Sequence, residues 1–350
     1  SISGETKRNT ETKKISVDQK IFQGFQGYNK FKKSHLELEK AEYEYKKIEQ
    51  NIILKSISAY YDLIFKNQSK EFNLANVSLF ERQVESDRSR LQKGEISLTD
   101  LAQSESSLAG AQANFIKADT EYVSAVAEFE KITRISAPKN LENNYEVFFF
   151  MPESLNKAFK LSSKNNPSLA IARIELAISE KELSVEKAKL SPSATLNYSK
   201  SENKDLSATI DQNDQETVKA TISWPIIKGG KNFSSIKKFK HKKEKNRLLL
   251  ENTENEVKTQ TATSWSFFQS AESIFNSTAA QLKAAEIANE GITLEYDSGS
   301  TRTTLEVIQS RSLLLEARIS HAKAKKDLIV SKLQLLSQVG GLNLKSFQNP

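Results

Sequence analysis

Cysteine is absent from the 350 residues, and proline, glycine, histidine and methionine number only six, eleven, three and one. Without thiols there is no disulfide scaffold and no Cys-X-X-Cys redox or zinc site, a usage that suits an oxidising compartment. His35, His241 and His321 lie far apart in helical sequence, so a metal centre or histidine acid–base site has no support. Phosphate loops and nucleophile elbows are missing too. No run of about 18 apolar residues occurs, which excludes a membrane-spanning helix. The longest purely apolar run is Val147–Met151, so a role in a membrane requires strands. The chain opens on Ser1 and its only methionine is Met151. A translation start and any signal peptide are therefore expected upstream.

What is present favours long amphipathic helices over one thick core: 27% charged and 37% hydrophobic residues, with a net charge of +7. The sequence also repeats itself. A shift of 205 residues lays "ISVDQKIFQGFQGYNKFKK", from Ile15, over "ATISWPIIKGGKNFSSIKK", from Ala220. It superposes Val17 on Ile222, Gly24 on Gly229, Tyr60 on Trp265 and Gly94 on Gly299. Each copy spaces its two glycines 70 residues apart, Gly24 to Gly94 and Gly229 to Gly299. One inserted residue later, Gln103-Ser104 falls on Gln309-Ser310. The chain is a tandem duplication.

Within each copy the hydrophobic period changes in a fixed order. Thr217 to Ile227, "TVKATISWPII", places Val218, Ala220, Ile222 and Trp224 on one face, which predicts a strand. Ser193 to Ser199 predicts another, with the polar stretch Ser201 to Asp214 between them read as a hairpin loop. About ten such residues, tilted, cross a bilayer as part of a barrel. At Gly24 and at Gly229-Gly230 strand gives way to helix. From Gly27 to Gly94, and from Gly230 to Gly299, there is no proline and little glycine. A helix of roughly 65 residues, on the order of 100 Å long, must pack lengthwise on others. Return helices are expected over Ser97 to Thr133 and Thr303 to Val339, and Pro152 and Pro167 open two shorter ones. The fold class is mainly α with a small β part. Its organisation is a first repeat over 1–138, a linker over 139–166, a second repeat over 167–341 and a tail over 342–350. Only 16 residues precede Val17, so the first repeat is expected to lack its opening helices and most of its first strand.

Two copies of strand and helical hairpin, with "AYYDL" in the first long helix and "KGEISLTDLAQSESSL" and "DSGSTRTTLEVIQSRSLL" at the turns, resemble the TolC-type outer-membrane channels of efflux pumps and type I secretion systems. The resemblance runs from about Glu11 to Gly341. It implies a homotrimer sharing a twelve-stranded barrel in outer-membrane lipid, continued by a helical tunnel into the periplasm. It further implies a passive exit duct with no cofactor and no catalysis. The implied partners are a periplasmic adaptor of the membrane-fusion type and an inner-membrane transporter, ABC or proton-driven.

The turns at Gly94 and Gly299 then lie at the periplasmic tip, the glycines accepting positive φ and the following Ser/Thr residues capping the next helix. In closed members of the family a Tyr and an Arg of the second hairpin hydrogen-bond to a Thr-Asp pair of the first. Thr99, Asp100, Tyr296 and Arg302 match those positions and imply an aperture latch, each bond worth roughly 1 to 3 kcal/mol where partly buried. Glu306 falls at one aspartate of the family's constricting ring, while Gln309 replaces a second. The Thr301-Arg302-Thr303 match favours the secretion-type subgroup.

Other features have plainer readings. Tyr60 and Trp265 read as packing residues between helices. Lys30, Lys32 and Lys33, and the eight basic residues from Lys231 to Arg247, follow the strands. Without a recognition motif or aromatic interleaving they do not indicate nucleic acid, and a solvated collar near anionic lipid fits them better. The rival function is a periplasmic adaptor or coiled-coil scaffold without a pore. Such proteins carry one hairpin flanked by small β domains, whereas this chain carries two hairpins and bilayer-length strands.

Overall fold

Scarcity of helix breakers translates directly into helix length. In the computed structural model, which describes residues 9–138, 140–141, 151–207, 210–299 and 302–343, α1 (Gln26–Gln92) and α5 (Lys231–Asp297) each run 67 residues. The shift of 205 residues that aligns the sequences carries both ends of α1 onto the ends of α5. The return helices are α2 (Leu98–Thr133) and α6 (Thr304–Gln338), and α3 (Leu155–Asn165) and α4 (Pro167–Ala188) are the two shorter ones. Most of the linker's first half, including Val147 to Phe150, lies outside the described residues, as do Ser300, Thr301 and tail residues 344–350. The chain forms two compact units, 1–44 with 170–253 and 45–169 with 254–350, so each unit draws on both repeats.

In the first unit β1 (Glu11–Gln23), β2 (Ser193–Ser207) and β3 (Ile210–Ser223) form an antiparallel sheet in the order β1-β2-β3. Directly paired residues share a face. Val17, Tyr198 and Val218 stand together, then Gln19, Leu196 and Ala220, then Phe22, Ala194 and Ile222. The opposite face holds Asp18, Asn197 and Lys219, then Lys20, Thr195 and Thr221, with Asn197 Nδ2 donating to Asp18 Oδ1 at 2.6 Å. The apolar face is bare in the protomer: Val17, Val218 and Ile222 are 56%, 68% and 80% exposed.

Two expectations for these strands are corrected. Ser201 to Ser207 and Ile210 to Asp214 are strand, not loop, because the ladder continues through Glu202↔Asp214 to Lys204↔Gln212. Beyond the apolar band both faces are polar, so the period-2 signal vanishes while the backbone pairing persists. The last strand ends at Ser223, not Ile227. Pro225 has no N–H to give a ladder, and the backbone turns there with the Ile226 amide donating to the Trp224 carbonyl at 3.0 Å.

Helix α4 is tied into this unit by ions. Glu182 accepts Lys33 at 3.2 Å and Lys242 at 2.5 Å, Glu175 accepts Lys40 at 2.8 Å, and Glu180 accepts Lys243 at 2.8 Å. Burial alone would raise the Glu182 carboxyl, but the hydrogen bonds from Lys242 and Lys33 outweigh it and hold the group below the ordinary carboxylate range. Part of the basic cluster is therefore an internal seam.

The second unit is held by small residues at strict sevenfold spacing. Ser104, Ala111, Ala118 and Ala125 on α2, and Ser310, Ala317, Ala324 and Ser331 on α6, are all buried. A period of seven keeps one seam facing its partners only if the helices supercoil left-handedly, and small side chains let the backbones approach. Against these seams pack Val77 and Phe80 with Ile308, and Leu63 with Phe129. A third cluster joins Ile53, Ala158, Leu333, Leu336 and Leu342. Tyr60, 6.1 Å from the Phe129 ring, and Trp265, 6.0 Å from Phe268, pack against these clusters. His321 stacks on Phe275 at 5.0 Å.

Candidate functional site at the hairpin turns

Both turns use one backbone device. Gly94 at φ 73° and Gly299 at φ 76° end the long helices in the left-handed region, with open space where a Cβ would sit. Ser97 and Thr303 then cap the return helices with reciprocal capping boxes. The Ser97 amide and hydroxyl donate to Asp100 Oδ2 at 2.9 and 2.7 Å, and the Asp100 amide returns a bond to Ser97 Oγ at 3.2 Å. Likewise the Thr303 amide and hydroxyl donate to Glu306 Oε2 at 2.8 and 3.1 Å, and the Glu306 amide donates to Thr303 Oγ1 at 3.3 Å. These bonds hold both carboxyls below their ordinary range. The Ser97 hydroxyl and then its amide dominate at Asp100; the Thr303 amide and then Arg302 dominate at Glu306.

The four predicted latch residues are not bonded to one another within the chain. Asp100 is the N3 member of its capping box, and Thr99 is exposed beside it. Arg302 donates from Nε to Glu295 Oε2 at 2.6 Å and from Nη1 to Glu306 Oε1 at 2.9 Å, and Glu295 first and Glu306 second raise its already high pKa. Gln309 is exposed on α6. The strand-to-helix glycines also lie in the left-handed region, and there Gly24 is hemmed in by Ser191 and the Ala188 carbonyl whereas Gly229 and Gly230 face open space.

Tyr296, 5% exposed, points into the helices. Its hydroxyl donates to Asp87 Oδ1 at 3.0 Å, which leaves the Thr304 hydroxyl, also at 3.0 Å, as the donor to Tyr296. Asp87 is fully buried and accepts two further bonds, from Gln83 Nε2 at 3.0 Å and Ser104 Oγ at 2.5 Å. The Arg90 guanidinium lies 4.5 Å over the Tyr296 ring. Burial raises the Tyr296 phenol; the bond from Thr304 opposes this and the Asp87 carboxylate reinforces it. One network thus touches α1, α2, α5 and α6.

Asp87 was not singled out in the sequence, although a signal exists. Ser69, Asn73, Asn76, Phe80, Gln83 and Asp87 alternate steps of four and three along α1 and are all buried. A charged residue at a core position of such a heptad requires partners.

A sheet with one apolar and one polar face, joined in sequence to paired helical hairpins in duplicate, defines a protomer of the outer-membrane duct class. Residues 4–133 and 159–341 match the outer membrane efflux protein family, and the chain belongs to it. Outer membrane efflux protein BepC of Brucella suis is 25% identical over 343 residues, covering 95% of this chain and 73% of BepC. TolC of Escherichia coli is 23% identical over 312 residues, covering 85% of this chain but 63% of its own length. A solved structure of CusC superposes with a TM-score of 0.83 at 14% identity, over 97% of this chain and 81% of that one.

Proposed function

We propose that the chain is a subunit of a trimeric, passive outer-membrane exit duct that serves an efflux pump or a type I secretion system. The sheet contributes to a barrel in outer-membrane lipid and the hairpins to a tunnel in the periplasm. Family membership makes it a channel protein and not an enzyme. The observation that carries the reading is the two-faced sheet. Val17, Val218 and Ile222 are exposed on one side while Asp18, Asn197 and Lys219 line the other, in a chain whose described helices are nowhere long and apolar enough to cross a membrane. Lipid outside and water inside satisfy both faces.

At the tip, Thr99 and Asp100 at the start of α2 and Arg302 just before α6 are exposed or half-exposed. We assign them to contacts between protomers that narrow the aperture, with Glu306 and Gln309 at the constriction. An adaptor and an inner-membrane transporter supply energy and cargo, and adaptor binding shifts the closed–open balance. Single-channel recording of the full-length protein in planar bilayers tests this. The expected result is a small conductance that rises several-fold with Asp100→Ala plus Arg302→Ala. A folded trimer that never conducts refutes the duct.

A further inference from the structure

The basic residues that follow the strands include two distinct groups. Lys33, Lys40, Lys242 and Lys243 pair with carboxylates of α4. Lys32, Lys237 and Lys240 are exposed and pair with no carboxylate among the described residues. This second group sits in a pattern that both repeats share. Just inside α1 comes Tyr28, followed by Lys32 and His35; just inside α5 comes Phe233, followed by Lys237 and Lys240. The shift of 205 residues superposes the two sets, and all six residues are exposed. Steps of four and three put each set on one helix face. In the first set the Lys32 ammonium lies 5.7 Å over the Tyr28 ring. The next residue down that face is a carboxylate in both copies, Glu39 and Glu244.

The packing of α4 fixes where this face points. On α1, Lys33 and Lys40 bond to α4, and Asn29 and Leu36 are half-buried on the same flank. On α5, Ser235, Lys243 and Asn246 bond to α4, with Asn232, Ile236 and Phe239 half-buried beside them. Brought to a common numbering by the shift, the two flanks lie about 140° apart around one helix, at about 100° per residue. A helix with neighbours on both flanks therefore has a narrow sector and a wide one, and the aromatic and lysine face lies near the middle of the wide one. In a closed ring of helices the narrow sector looks into the lumen and the wide sector looks out. Immediately before each set, Phe22 and Phe25 around the end of β1, and Trp224, Ile226 and Ile227 after β3, are exposed apolar residues.

We propose that Tyr28 with Lys32, and Phe233 with Lys237 and Lys240, form two sites in each protomer for the headgroup phosphate of an anionic phospholipid at the periplasmic surface of the outer membrane. This rests on the reading of the chain as an outer-membrane duct. Lys237 and Lys240 stand about 9 and 14 Å along α5 from its first residue. Side chains on a helix lean toward its N-terminus, which carries both ammonium groups up toward the strands and the lipid. A ring at the edge of the hydrocarbon with a cation just below it matches both ends of a phospholipid, acyl chain against ring and phosphate against ammonium. Free phosphate has no use for the ring, so the pairing selects lipid. A zwitterionic headgroup brings its own cation and gains less from the lysines. Glu39 and Glu244 follow only farther along each helix, where their charge is kept away from the headgroups.

Native mass spectrometry of the full-length trimer, taken from detergent micelles loaded with equal amounts of phosphatidylglycerol and phosphatidylcholine, counts the lipids that stay bound. Phosphatidylglycerol should be retained several-fold over phosphatidylcholine. Lys32→Gln plus Lys237→Gln plus Lys240→Gln should bring the ratio close to one, with heat-resistant trimers on gels as the check on folding. Lys258→Gln plus Lys283→Gln, at exposed lysines farther along α5, should leave the ratio as it is. Equal retention of the two lipids by the unmodified trimer overturns the sites. So does an equal fall in the Lys258 and Lys283 variant, which reduces the preference to net charge. An unchanged ratio in the triple variant overturns them too, and a shifted reversal potential in that same variant would place the lysines in the lumen. Conductance judges the duct separately. A trimer that conducts without lipid preference loses the sites and keeps the duct, whereas one that keeps the preference and never conducts loses the duct and keeps a lipid-binding surface.

Discussion

The two hairpin turns share a left-handed glycine and a capping box and differ in the side chains around them. Each has a left-handed glycine, followed three residues on in the first turn and four in the second by a capping box whose N3 carboxylate takes the cap residue's amide and hydroxyl. Around that common frame the first turn places an acceptor, Asp87, one helical stretch back, and the second places a donor, Tyr296. The shift of 205 residues puts Leu91 opposite Tyr296 and Ile292 opposite Asp87. Neither copy retains the other's polar partner. Duplication supplied two turns built on the same glycine and capping box, the second one residue longer, and the residues beside them form a complementary pair that no symmetric chain can form with itself. A device for ending a helix has remained constant while a device for joining two hairpins has been added to it.

The sharpest way to break that comparison is to remove the acceptor. Asp87→Ala leaves the Tyr296, Ser104 and Gln83 donors without their acceptor in a buried site. It should cost about 3 kcal/mol or more. The mirror substitution Ile292→Ala, at a half-buried position, removes only apolar contact and should cost about 1 kcal/mol. Denaturant midpoints of the two variants measure the gap, and equal losses would mean that the network adds nothing beyond packing.

Much of the fold was legible because long helices and duplication announce themselves locally. Absence of proline from Gly27 to Gly94 and from Gly230 to Gly299 delimits α1 and α5 to within a few residues. The strands were half legible. Residues 193–199 alternate because one face meets an apolar medium, but Lys200 to Lys204 and Gln212 to Glu216 continue the same ladder with polar residues on both faces, and periodicity cannot report a strand that is wet on both sides. At the site, sequence located the turns, the caps and Tyr296. It did not locate Asp87, because the partner lies 209 residues away and no local rule connects them. The available hint was the run of positions on α1 at steps of four and three, whose residues from Ser69 to Asp87 are polar apart from Phe80 and yet buried, so that each needs a partner.

Smaller effects test the sameness of the turns. Gly94→Ala and Gly299→Ala each force a Cβ into the left-handed region at φ 73° and 76° with nothing within 4 Å to clash. Each should therefore cost about 1 to 2 kcal/mol from backbone strain alone. Since neither site adds a packing term, the two losses should agree within about 0.5 kcal/mol. A clear excess at Gly299 would show that the second turn is under load from Arg302 and Tyr296 even in the isolated protein.

The weakest expected difference is the response to acid. The folded state holds both Asp100 and Glu306 below the ordinary carboxylate range, so each binds a proton less readily folded than unfolded. For such groups the stabilising contribution is complete above the unfolded pKa and is lost as pH falls through the folded one. The ordinary value is 3.8 for Asp100 and 4.5 for Glu306, so loss should begin at higher pH in the second turn. The stability difference between the unmodified protein and Glu306→Gln should start to shrink as pH drops below that of neutral buffer towards the mid-fours. The difference for Asp100→Asn should hold until lower pH. Both carboxylates are exposed enough for solvent to screen them, so the effect is small and best read as a difference between paired titrations. If both differences stay constant to the acid limit of folding, the carboxylates contribute nothing as anions and the hydroxyl caps alone hold the turns. If they fall together, the difference in ordinary value between the two carboxyls does not set where each turn loses its contribution.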